Sequence, residues 1–178
     1  HCLVNPAMVS ELVMFASSTA QGPDSGVVLL LQCIAKHMGG VFAGSSHGLF
    51  RWVENCLGTS SGRAQRPSSG AHLLALDVIK TVAPHIAGEK DAEKHLSKLL
   101  LQQAQSHADA AVCETLAETV SRLVETGCSA SPAAQVFDIL SGSKLLSTSN
   151  SRLDQNLSAL LGLVTHHSGF SQVSKGRV

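Results

Sequence analysis

Gly44-Ser45-Ser46-His47-Gly48 is the stretch of this chain whose residue types come nearest to covalent chemistry. It fits G-x-S-x-G, in which a serine stands on a tight strand-to-helix turn with its hydroxyl exposed. Ser46 would be the nucleophile, and His85, His95, His107 and His166 lie downstream as candidate bases. The surrounding pattern argues against such an elbow. Residues 39–43 make a poor strand and no parallel-sheet pattern follows. A serine that caps a helix from a Gly/Ser-rich turn accounts for the same residues. A serine hydrolase using Ser46 is therefore the alternative function class, and a fluorophosphonate probe is its test.

Other patterns carry less. Ser141-Gly142-Ser143-Lys144 fits S-x-x-K, but no S-D-N or K-T-G accompanies it, so it reads as chance in a Ser-rich loop. Nine histidines raise a metal hypothesis. None stands four residues from another on one helix, and no H-E-x-x-H occurs. His37 and His47 flank a Gly-rich turn, while His166 and His167 fall in an expected last helical turn, where a cation suits the helix dipole. No metal and no cofactor is expected. Asn156-Leu157-Ser158 fits a glycosylation sequon, yet Leu157 belongs to a buried helix face. Arg63–Ser69 (RAQRPSS) places two arginines before serines in a low-apolar stretch, which suits a basophilic kinase acting on Ser68 or Ser69. A plain flexible linker accounts for the same composition.

The elements that would carry these residues all read as helices. Asn5-Pro6 is a capping residue followed by proline, a helix start, with Met8, Leu12, Phe15 and Ala16 on one face. A second helix, 25–38, is apolar nearly all round. A third runs from Ser46 to Leu57 with Leu49, Trp52, Val53 and Cys56 on its face, and 58–70 reads as a mobile Ser/Gly-rich surface loop.

The centre of the chain, 69–127, organises the rest. Its first helix, 71–86, follows Ser69 as cap and carries Leu74, Ala75, Val78, Ile79, Val82, Ala83 and Ile86 at helical spacing, widened by Leu73 and Leu76. A helix apolar over most of its circumference must be covered on two sides. The next, 89–106, buries Ala92, Leu96, Leu99, Leu100, Gln103 and Ala104 and exposes Lys90, Glu93, Lys94 and Lys98. The third, 108–126, buries Val112, Leu116, Val120, Leu123 and Val124. Its polar face holds Glu114, Glu118, Arg122 and Glu125, with Glu118 and Arg122 spaced for an i,i+4 ion pair. Gly88 and Gly127 close the first and third of these helices. Short links imply that consecutive helices fold back on each other. A seventh helix, 131–140, a loop, 141–150, and an eighth helix, 151–166, complete the series, before a frayed tail at 168–178. The eighth carries Leu153, Leu157, Leu160, Leu161 and Val164 on one face.

Composition removes several function classes. Thirteen basic residues balance 13 acidic ones, so the basic excess expected of a nucleic-acid binder is missing. Aromatics are 3% and tyrosine is absent, so stacking platforms are lacking. The longest apolar run, 27–31, is too short to cross a bilayer, and no membrane association is expected. Five cysteines at irregular spacing, with Cys33, Cys56 and Cys113 on apolar faces, fit a reducing intracellular compartment. The chain starts at His1, as an excised piece of a longer protein would.

The amphipathic pairs, together with Leu76-Asp77-Val78-Ile79 followed by Pro84, resemble ARM/HEAT-type α-solenoids. The resemblance implies an all-α, right-handed stack of antiparallel helix pairs spanning 1–178. A closed multi-helix bundle is the alternative. It also implies a non-catalytic interaction scaffold whose partners are other proteins or peptide segments. Large ubiquitin ligases, transport receptors and chromosome-associated scaffolds contain such segments. On that reading the exposed helix faces would do the binding, with Lys94, Lys98, Glu114, Glu118 and Arg122 as the expected residues.

Overall fold

The computed structural model describes residues 7, 8, 11, 33, 36, 52–54, 56, 57, 69–106, 109–142 and 151–175, with side chains of the last helix given for 152–166. Five full helices are described: α1 (Ser69–Ile86), α2 (Lys90–Ser106), α3 (Ala110–Glu125), α4 (Ser131–Gly142) and α5 (Ser151–Lys175). Residues 52–54 and 56–57 are helical as well, and no strand occurs among the described residues. The chain is all-α.

The helix ends follow from local chemistry. At the end of α3 Gly127 adopts φ +105°, the left-handed conformation that suits glycine. The Gly127 N–H donates to the Val124 carbonyl and the Cys128 N–H to the Leu123 carbonyl, both at 3.0 Å, which satisfies two carbonyls the helix leaves open. Gly88, at φ +94°, ends α1. Its N–H donates to the Glu93 carboxylate at 2.7 Å, so the first turn of α2 holds the last turn of α1. Glu93 is therefore half-buried rather than on the solvent face with Lys90, Lys94 and Lys98. The α3 helix starts at Ala110, with Asp109 as its cap: Asp109 Oδ1 accepts from the Ala111 N–H at 2.9 Å.

Closest packing does not follow chain order. α1 lies chiefly on α3, α3 on α1 and α5, and α2 on α4; α4 also meets α3 and α5. α1 and α2, joined by a very short link, are not among the close pairs within the described residues. This corrects, for the Ala87-Gly88 link alone, the expectation that short links fold consecutive helices directly onto each other; α2 and α3, across the other short link, do meet, as do α3 with α4 and α4 with α5. A short link fixes only the reversal of chain direction. Which faces meet is decided by apolar area, and α1 needs cover on two sides. Small residues of both helices are fully buried: Ala75 and Ala83 of α1, Ala117 and Thr119 of α3. Thr119 Oγ1 donates to the Thr115 carbonyl at 2.7 Å and lies 3.4 Å from the Leu76 carbonyl of α1.

The core is one continuous cluster of Leu, Val, Ala and Ile with Trp52 at one side. Every position expected to be buried on α2 and α3 is buried. Glu54 and Leu57 each meet α2. Gln103 Nε2 donates to the Leu57 carbonyl at 3.1 Å, and His95 Nε2 lies 3.0 Å from Glu54 Oε1.

Several expectations are corrected. Met8 and Leu161, expected on buried faces, are 54% and 43% exposed. Cys33, also expected on an apolar face, is exposed. Ser69 and Gly70 belong to α1 rather than to a loop, and Ser141 and Gly142 to the last turn of α4. α5 continues to Lys175 instead of ending near His166 in a frayed tail, so His166 lies within the helix, away from its terminal dipole. Ser46, Leu49, His37, His47, the rest of the 25–38 helix and residues 58–68 lie outside the described residues.

Candidate functional site

Three helices, α1, α3 and α5, leave a hollow of about 240 Å³ along their shared outer surface, open to solvent and lined by both polar and apolar atoms. α1 contributes Lys80, α3 contributes Glu118, Ser121, Arg122 and Glu125, and α5 contributes Asn156. The α3 residues share that surface because 118, 121, 122 and 125 recur at three and four positions, the spacing of neighbours on one helix face.

Lys80 organises one wall. Its Nζ lies 3.1 Å from Glu118 Oε1 across the helix boundary and 3.4 Å from Asp77 Oδ1 on its own helix. Glu118 is thus paired with Lys80, not with Arg122 as the i,i+4 spacing suggests. Arg122 instead lies 3.3 Å from Glu125 Oε2. These pairs are solvent-exposed and each contributes at most about 1 kcal/mol.

The floor is different. Ser121 is 8% exposed, and its Oγ is buried without a hydrogen-bond partner. Beside it Asn156 is half-buried and donates through Nδ2 to the Glu114 carbonyl at 3.1 Å, fixing α5 against α3. That bond occupies the Nδ2 to which a glycan would be attached. Exposed groups of both signs therefore surround a buried serine hydroxyl.

Of the five expected binding residues, Glu118 and Arg122 line this hollow. Glu114 stands beside it and contributes its backbone carbonyl. Lys94 and Lys98 are exposed on α2, outside the hollow, and make no ion pair among the described residues. Lys80, Ser121 and Asn156 were not singled out as binding residues. No sequence pattern marks a lysine that pairs across helices or a serine that is left unpartnered. Ser69 is exposed, and its hydroxyl donates to Asp109 Oδ2 at 2.6 Å.

Three of the described cysteines, Cys56, Cys113 and Cys128, are poor nucleophiles. Burial pushes the Cys56 thiol up to about 12. Burial, with Asp109 and Glu114 nearby, pushes Cys113 to about 11. Cys128 is raised by burial and by Glu93. No group of three His, Cys, Asp or Glu residues suited to a metal ion occurs among the described residues. No described helix is long and apolar enough to cross a membrane. Comparison with known protein families, with curated proteins and with solved structures returns no match for the chain.

Proposed function

We propose that this chain is a non-catalytic protein–protein interaction scaffold, a short ARM/HEAT-like helical stack whose α1–α3–α5 surface receives a segment of another protein. The observation that supports this reading is the packing of alternate helices, chiefly α1 with α3 and α3 with α5, with α4 shared equally between α2 and α5. Stacked helical repeats place equivalent helices side by side in layers, and the ridge between neighbours in a layer is where such stacks take partners. The hollow around Lys80, Glu118 and Arg122 lies on that ridge. Its mixed charges suit a polar peptide carrying both charge signs. The same reading places the protein in a reducing intracellular compartment, in keeping with thiols such as Cys113 and Cys128 packed into the core.

The test is affinity capture from cell lysate with the full chain as bait, beside three variants. Arg122→Glu alters the hollow, Lys94→Glu with Lys98→Glu alters the exposed α2 face, and Leu116→Asp abolishes packing. A partner lost with Arg122→Glu and Leu116→Asp, but kept with the α2 variant, is expected. Arg122→Glu must melt within about 0.5 kcal/mol of the parent, as an exposed substitution should. A partner set indifferent to Arg122→Glu would overturn the proposal.

A further inference from the structure

We propose that Ser69 is a phosphorylation site, and that its phosphate acts by opening a contact between the starts of α1 and α3. Three observations meet at this residue. Arg66 stands three residues before Ser69, the spacing read by protein kinases with an acidic substrate groove. Ser69 is exposed and is the first residue of α1, so on the helix side the opening turn must fray for a kinase to read it in extended conformation. Its hydroxyl donates at 2.6 Å to Asp109 Oδ2, forty residues along the chain.

Asp109 serves two purposes. Its Oδ1 caps α3 through the Ala111 N–H, while its Oδ2 holds the start of α1 through Ser69. Modification would change the second alone. In the transfer, Ser69 Oγ attacks the γ-phosphorus of a nucleoside triphosphate, the bond to the departing nucleoside diphosphate breaks, and the hydroxyl proton passes to the kinase base. The product Oγ has no proton to donate. A phosphate of nearly two negative charges then faces a carboxylate at hydrogen-bond range, and the two repel. The first-turn N–H groups of α1 attract the same phosphate. Phosphate therefore turns from Asp109 toward its own helix: α1 keeps its start, and the tie from α1 to α3 is lost. Because α1 and α3 together wall the hollow at Lys80 and Glu118, the modification sits on the layer proposed to dock partners, yet it stands or falls separately from docking.

The experiment uses the full chain, a purified kinase that selects arginine three residues before serine, and ATP with magnesium. Phosphopeptide mapping should find phosphate on Ser69. It should be lost with Ser69→Ala and with Arg66→Ala, and retained with Ser68→Ala. The phosphorylated chain should melt about 2–4 °C lower than the unmodified one, the shift of a single lost contact in a chain of this size. In Asp109→Ser, which keeps a capping oxygen but no charge, phosphorylation should leave the melting temperature unchanged or raise it. Phosphate on Ser68, no phosphate, or the same melting change with and without the Asp109 carboxylate would overturn the proposal.

Discussion

Replacing Leu116 by alanine should destabilise the fold far more than the same change at Leu161. Leu116 is fully buried at the middle of α3, the helix that α1, α4 and α5 all contact. Leu161 is 43% exposed on α5. Truncating a buried leucine costs about 2–5 kcal/mol, the spread reflecting how far neighbours relax into the cavity. Around Leu116 helices stand on several sides and are themselves pinned, α3 to α1 through Thr119 and α5 to α3 through Asn156. The site cannot collapse freely, so the upper half, about 3–5 kcal/mol, is expected. For a chain of this length that is a drop of about 6–20 °C in Tm. Leu161→Ala should cost about 0.5 kcal/mol, within about 2 °C. Thermal melts followed by far-ultraviolet circular dichroism measure both. Equal shifts, or a cost below about 1 kcal/mol at Leu116, would show that α3 is not the central helix and would refute the packing described.

Gly127→Ala should cost about 1–2 kcal/mol, because φ is +105° while an added Cβ would meet nothing within 4 Å; the strain is purely that of the backbone. Gly162→Ala, inside α5 with equally open space, should instead stabilise by about 0.4–1 kcal/mol, and paired denaturant titrations read both signs. Asp109→Ala should cost about 1 kcal/mol through loss of the α3 cap, with Asp109→Asn recovering much of it. Among the described cysteines, Cys33 alone should react rapidly with a soluble disulfide reagent at pH 8, and fast labelling of Cys113 by peptide mapping would contradict its burial. Cys113 also sets a pH dependence. Its folded pKa, about 11, lies above the unfolded value, so its contribution is complete below pH 9 and is lost as pH rises toward 11. Cys113→Ala should flatten the fall in Tm between pH 8.5 and 10.5, the proposed assay range, and an unchanged slope would show that another group is responsible.

Legibility in the sequence differed by level. The buried faces of α2 and α3 could be read residue by residue, because their apolar positions repeat at helical spacing against a charged background. Gly88 and Gly127 marked their helix ends, since both turns require a backbone that only glycine adopts cheaply. What could not be read was who faces whom. Glu118 stands four residues from Arg122, but a lysine from another helix lies 3.1 Å away, and no local spacing encodes that. Asp109 was missed as a cap because Ala108 and Ala110 on either side favour helix equally well. Leu161 sits among leucines that are buried, yet no neighbouring helix covers its side of α5 to the same extent. The candidate site was half legible. Its α3 residues share a periodic face, whereas Lys80 and Asn156 arrive through tertiary packing.

The stacking of α1 directly on α3 is the claim from which the layer, the hollow and the scaffold reading all follow. A zero-length carbodiimide cross-linker joins an amine to a carboxylate only when the two are in contact. Applied to the folded chain and read by peptide mass spectrometry, it should join Lys80 to Glu118, coupling a peptide of α1 to one of α3. Lys80 joined to Asp91 or Glu93 of α2, with no product at Glu118, would mean that consecutive helices pair instead and would contradict the layered arrangement.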